Sequence, residues 1–340
     1  MTSWLEDADT IEIAGRRLRV FGDNAVAAVG PAFAGILDRS GGPVQATLEI
    51  ETLTDPTGQD PWRDYAIGSH RSSDGALAVI RREPSSVETY VPGGVLGGVP
   101  GGVPGGVPRL HLVASTAALA SGDLRSQPAN RAIASWLASP TVQLAHAAAV
   151  ALDGCGVLLV GVGGRGKSTT ALACAQAGFS FLGDDLCVIE AGCPEHGTPA
   201  RVHGVYATVK LNRDSQEHLG ARDWPFLGVT PKGKSAFALP PAIRFERAVP
   251  LVAIVGVRAD GQSADGQSAE AVRRMSAPAA MGLLAATGLP MATGSGTPGQ
   301  WLSAAAAIAR EIPAYELGLT WDLQHVVATV RAIVERNGPR

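Results

Sequence analysis

The chain has 340 residues, 46% of them hydrophobic and 17% charged, with a net charge of −3. That length suits two domains or one large one with a sizeable core. The near-neutral balance gives no electrostatic basis for a nucleic-acid or anionic-membrane partner, and no apolar run reaches the roughly 18 residues of a membrane span. The opening MTSWLEDADT is acidic and lacks the basic and apolar regions of a signal peptide, so a cytoplasmic location is expected. Cys155, Cys174, Cys187 and Cys193 fall mostly in expected core segments and read as reduced thiols. The spacing of Cys187, Cys193 and His196 fits no standard metal pattern.

Taken in order, Thr10–Ile13 and Arg17–Phe21 flank Ala-Gly and predict a hairpin. Val26–Leu37 is weakly amphipathic, with Gly30-Pro31 expected to mark the true helix start. Val44–Ile50, Tyr65–His70, Ala76–Arg82, Val87–Val91 and Arg109–Ser115 read as strands. Residues 91–108 are a low-complexity VPGG repeat, and Ala259–Ser268 repeats ADGQS; both read as insertions in surface loops. Asn130–Ala138 predicts a short helix, and a boundary is expected near Ser139-Pro140. Residues 1–140 are thus expected to form a smaller α+β domain suited to substrate or partner recognition, and residues 141–340 the catalytic domain. In the second half, Val142–Leu152, Val157–Val160, Val202–Leu211, Val249–Val257 and Ala314–Thr320 read as strands, and Phe226–Leu239 as a hairpin. Ala269–Gly288, Trp301–Ile312 and Leu323–Arg336 read as helices, the last with Val326, Val327, Val330, Ile333 and Val334 at helical spacing.

One stretch carries chemistry. Gly161, Gly166, Lys167 and Ser168 complete the phosphate-loop pattern G-x-x-x-x-G-K-[ST], set between an apolar strand and a helix-forming run that stops at Gly178. Glycines let backbone N–H groups and a helix N-terminus converge on phosphate oxygens. Lys167 can reach the outer phosphates, the Ser168 hydroxyl can ligate Mg²⁺, and Thr169 is its neighbour. The next strand ends in Asp184-Asp185. One carboxylate can hold the metal while the other takes a proton from an attacking hydroxyl. Of 28 basic residues only Lys167, Lys210, Lys232 and Lys234 are lysine, which singles out Lys210 for notice.

With His146 on the strand before the loop, the Gly-Lys-Ser and the close Asp-Asp, residues 142–190 resemble the catalytic domain of the HPr serine kinase/phosphorylase family. The broader group includes phosphoenolpyruvate carboxykinase. The fold this implies is α/β, a P-loop catalytic domain of that type preceded by a smaller α+β domain. The resemblance implies that Gly161, Gly163, Gly164, Arg165, Gly166, Lys167, Ser168 and Thr169 hold ATP, and that Ser168 and Asp185 hold Mg²⁺. It makes Asp184 the general base and places His146 near the transferred phosphoryl group. A homo-oligomer is also implied. The family's accessory domain, its Arg- and Glu-rich signature and its C-terminal basic motif are not found, so neither HPr as substrate nor the reverse reaction is carried over. The chain is more similar to shorter HPr-kinase-like proteins that accompany peptide-modifying machinery, some of them lasso-peptide kinases acting on a precursor's C-terminal serine. Lys210 falls where such proteins often carry Lys-Leu. An ATP-dependent kinase acting on a serine of a peptide or protein is expected; a nucleotide-sensing protein with little turnover and a small-molecule kinase are the alternatives.

Overall fold

The computed structural model describes residues 8–53, 68–71, 76–82, 85–93, 106–164, 166–259, 272–295 and 298–338. Most of the VPGG repeat, the ADGQS repeat beyond Ala259, and Arg165 lie outside the described residues. The protein is mixed α/β, and its chain separates into two compact units. One takes Met1–Ala138 with Tyr206–Thr208 and Pro225–Ala238; the other takes Ser139–Val205, Val209–Trp224 and Leu239–Arg340. No helix among the described residues is long and apolar enough to cross a membrane.

The first unit holds β1 (Ala8–Ile13), β2 (Arg16–Gly22), α1 (Ala25–Phe33), β3 (Ala46–Thr52), β4 (Gly68–Arg71), β5 (Leu77–Arg82), β6 (Ser85–Val91) and β7 (Arg109–Ala114). Helices α2 (Thr116–Ala120), α3 (Gly122–Ser126) and α4 (Asn130–Leu137) follow. The strands form one mixed sheet in the order β1-β2-β3-β7-β6-β5-β4. Among the described residues the β2–β3 and β3–β7 pairs are parallel and the others antiparallel. Ala46, Leu48 and Ile50 alternate inward along β3, as a strand with one buried face requires. Helix α1 starts earlier than Gly30-Pro31, because Asp23 accepts the Ala25 N–H at 2.7 Å and satisfies the first turn. Pro31 then lies inside the helix, costs it one bond, and the helix stops at Phe33.

The chain continues through β8 (Val142–Ala145), β9 (Ala148–Leu152), β10 (Cys155–Val160), α5 (Lys167–Gln176), β11 (Ser180–Gly183), β12 (Cys187–Glu190), β13 (Arg201–His203), β14 (Thr208–Leu211) and α6 (Arg213–Leu219). Strands β15 (Phe226–Val229) and β16 (Ser235–Ala238) form an antiparallel hairpin in the first unit. Then come β17 (Ala248–Ala259), β18 (Val272–Arg274), α7 (Ala277–Ser295), α8 (Pro298–Glu311), β19 (Ala314–Leu319) and α9 (Leu323–Asn337). The second unit's sheet runs β11-β9-β10-β17-β13-β12-β8, with β19 also beside β17 and β18 beside β19. Strand β17 joins two groups of strands. Its start pairs antiparallel with β13, its end pairs parallel with β19, and β10 runs parallel along its other edge.

Three expected elements divide differently. Val142–Leu152 is two strands, with β8 on β12 and β9 between β10 and β11, so His146 sits at the break rather than on a strand. Val202–Leu211 is likewise β13 and β14. A side chain at the intervening Gly204 would meet Leu182 O at 2.6 Å. The helix expected from Ala269 begins at Ala277, because Val272–Arg274 instead pairs with the open edge of β19.

Leu158 and Val160 of β10 share a core cluster with Leu284 of α7 and Trp301, Ala305 and Ile308 of α8. By the strand's period of two, Val157 and Leu159 face the opposite side of the sheet, the side where α5 and α9 pack. Helix α5 closes with a Schellman turn: Gly178 is left-handed, its N–H bonds Ala175 O and the Phe179 N–H bonds Cys174 O.

All four cysteines are free. Cys193 Sγ lies 2.9 Å from His196 Nδ1 on an exposed turn, whereas Cys187 Sγ donates to Ala147 O inside the sheet. Burial pushes the Cys174 thiol from its ordinary 9.0 up to about 12, with Arg331 opposing. Burial, then the charges of Asp184 and Asp185, push Cys187 upward as well. Below pH 9.0 the Cys174 thiol is neutral in folded and unfolded chains alike. Between 9.0 and about 12 only the unfolded chain ionises it, so stability falls as pH rises through that window. The urea midpoint is expected to drop there, and to drop less in Cys174→Ala; equal slopes would refute this role.

Candidate functional site

The site is assembled at the C-terminal ends of β10 and β11 and at the break after β8. Strand β10 is buried along its length and delivers the chain into the loop at Gly161. Helix α5 begins behind Gly166, which has φ +90 and offers no side-chain cap. The N–H groups of Lys167, Ser168 and Thr169 therefore open the helix without a capping side chain, the first helical bond being Thr170 N–H to Gly166 O. Gly166 is needed twice over. Its φ is left-handed, and a Cβ there would collide with Leu319 Cδ1.

Lys167 is 6% exposed, and its ammonium donates to Gly161 O at 2.8 Å. The cation thus rests against the loop's own carbonyl. Thr169 behaves differently from its neighbours: its hydroxyl is 2.7 Å from Ser215 Oγ of α6. That side chain ties two helices together, leaving its backbone N–H as the group that can serve an anion.

The two carboxylates have distinct surroundings. Asp184 is 3% exposed, and both of its oxygens accept hydrogen bonds. Oδ1 takes the Ser168 hydroxyl at 2.6 Å and Oδ2 takes the Lys210 N–H at 3.0 Å. Asp185 is more open and adopts the left-handed region at φ +69. Its Oδ1 lies 3.1 Å from His146 Nδ1 and its Oδ2 lies 3.4 Å from Lys210 Nζ. The β8–β12 pairing explains the histidine contact. Ala145 is opposite Cys187, so the residue that follows β8 emerges beside the residues that precede β12.

The structure therefore brings together His146, Ser168, Asp184 and Asp185, and holds Lys167 against Gly161 of the loop, while Arg165 lies outside the described residues. It adds Lys210, which is 7% exposed and touches both carboxylates, one through its backbone and one through its ammonium. The scarcity of lysine in the chain was the signal that pointed to it. A residue that sequence reasoning missed is Ser215, whose hydroxyl anchors Thr169; a lone serine in a polar helix offers no pattern to find it by. Among the described residues no three His, Cys, Asp or Glu side chains converge as a metal cage. The Ser168 hydroxyl and the Asp184 carboxylate are hard oxygen donors, the kind that hold Mg²⁺ with one or two carboxylates while phosphates and water complete its shell.

No family model matches the chain, and no curated protein matches it. Among solved structures it is similar to one described as the Hpr(Ser) kinase/phosphatase from Coxiella burnetii, at 14% identity and a TM-score of 0.29, covering 56% of this chain and 95% of that one.

Proposed function

We propose that the chain is an ATP-dependent kinase that moves the γ-phosphoryl group to a hydroxyl. The proposed acceptor is a serine of a peptide or protein, the C-terminal serine of a precursor peptide being the first candidate. The observation that carries this reading is the unequal pairing of Asp184 and Asp185. A protein that only senses nucleotide needs one carboxylate beside the loop serine. A second, more open carboxylate held by a histidine and a lysine is what a transfer reaction adds.

The geometry favours a division of labour opposite to the one the resemblance implies. Asp184 accepts from Ser168, so it stands on the metal side together with that hydroxyl. When bound, Mg²⁺ supplies charge neutralisation at the phosphate oxygens. Asp185 is the base. His146 and Lys210 each occupy one of its oxygens, and a carboxylate retains further lone pairs for an incoming proton. In the reaction the acceptor oxygen bonds the γ-phosphorus, the bond to the β,γ-bridging oxygen breaks, and the hydroxyl proton passes to Asp185. Lys167 faces the charge that develops on the departing diphosphate. Catalysis of this kind is mostly positioning and charge complementarity.

The test is transfer of label from γ-labelled ATP with Mg²⁺ to HPr, free serine, or a precursor-like peptide ending in serine. Label on the peptide is the expected result. Tight ATP binding with no labelled hydroxyl would move the function to nucleotide sensing. Preference for free serine would make it a small-molecule kinase.

A further inference from the structure

A single exposed apolar side chain is ordinary on a protein surface, so what singles one out is its place and its neighbours. Among the described residues of the second unit, the large apolar side chains left exposed are Val162, at 69%, and Trp321, at 53%. Val162 is in the phosphate loop. Trp321 is two residues beyond Leu319, the side chain that closes on Gly166 of the same loop.

Trp321 is also held rigidly. Its carbonyl accepts the Leu323 N–H at 3.0 Å, and the next residue, Asp322, caps α9 through the His325 N–H at 3.0 Å. The His218 ring of α6 backs the indole, with centroids 4.0 Å apart and planes 17° from parallel. His218 Nδ1 is 2.8 Å from Asp214 O, and a carbonyl only accepts, so that nitrogen carries hydrogen and the ring is fixed. Helix α6 is in turn tied to the first turn of α5 through Ser215 and Thr169. Platform and loop therefore share one frame. His218 also lines a groove of about 540 Å³ that runs on between α5 and α9, a volume within the usual range of small-molecule sites.

We propose that the exposed face of Trp321, backed by His218, is the stacking platform for the purine base of the nucleotide whose phosphates occupy the Gly161–Ser168 loop. This rests on the nucleotide-site reading above and extends it to the base. A flat, rigid indole whose ring stays partly open suits a flat heterocycle. Stacking reads the face of a base and not its edge, so adenine and guanine are both accepted and the smaller pyrimidines are held less tightly.

The experiment is calorimetric binding of ADP, GDP, UDP and inorganic tripolyphosphate, each with Mg²⁺, to the full chain and to its Trp321→Ala and Trp321→Phe variants. The wild type is expected to bind ADP and GDP alike and UDP more weakly. Trp321→Ala is expected to lose about tenfold or more in ADP affinity while binding tripolyphosphate as the wild type does, and Trp321→Phe should recover most of the loss. ADP affinity unchanged in Trp321→Ala overturns the proposal. So does an equal loss of ADP and tripolyphosphate, which would mark damage to the loop. A wild type that binds neither probe would sink the nucleotide site itself, and the platform with it.

Discussion

Asp185→Asn is expected to lower the kcat of phosphoryl transfer by about 10²–10⁴-fold, the usual worth of a positioned general base, with Mg²⁺-dependent ADP affinity changed little. Asparagine adopts the left-handed backbone of Asp185 as readily as aspartate does, so the fold at φ +69 is preserved. The amide keeps one oxygen acceptor for His146 or Lys210 but has little basicity. Turnover measured beside equilibrium ADP binding separates the two effects. A variant that transfers phosphate at the wild-type rate would return the base role to Asp184.

Asp184→Asn should show the converse pattern, a weakening of Mg²⁺-dependent nucleotide binding by about tenfold or more. It should also cost stability. Both Asp184 oxygens accept hydrogen bonds, one from the Ser168 hydroxyl and one from the Lys210 N–H. An amide can accept at only one position; with its oxygen kept on the Lys210 N–H, its NH₂ donates to the Ser168 oxygen, and the hydroxyl hydrogen loses its acceptor beside a side chain that is 3% exposed. Leaving a buried donor without its acceptor costs about 1–3 kcal/mol. A magnesium titration of ADP binding and a thermal melt test both parts. Unaltered magnesium dependence in this variant would remove Asp184 from the metal side.

The loop itself was legible in the sequence because its chemistry is local. Glycines, lysine and serine at fixed spacing determine where backbone N–H groups point. The Asp-Asp pair was legible for the same reason. The partners of the pair were not, since each carboxylate meets groups that come from other elements. Ser168, Lys210 and His146 reach the pair from other elements, through pairings such as Ala145 with Cys187. Continuous apolar runs misled at Val142–Leu152 and Val202–Leu211. A run buried on both faces carries no periodic mark at the residue where it leaves one strand partner for another. The start of α7 was displaced because β18 completes an edge, a preference that belongs to the sheet and not to residues 272–274 themselves. Elements set by local chemistry, such as the Gly178 stop of α5 and the alternation along β3, were visible without the fold.

Strand β17 has a consequence for the chain's birth on the ribosome. The strands β8, β12 and β13 form one ribbon and β9, β10 and β11 another, and among the described residues the sheet joins them through β17. Every residue of the proposed transfer site, from His146 to Lys210, is synthesised before Ala248 opens that strand. A chain that ends before Ala248 lacks the strand that lies between β10 and β13 in the sheet. Synthesis of β17 is thus required before the two ribbons can be joined in one sheet.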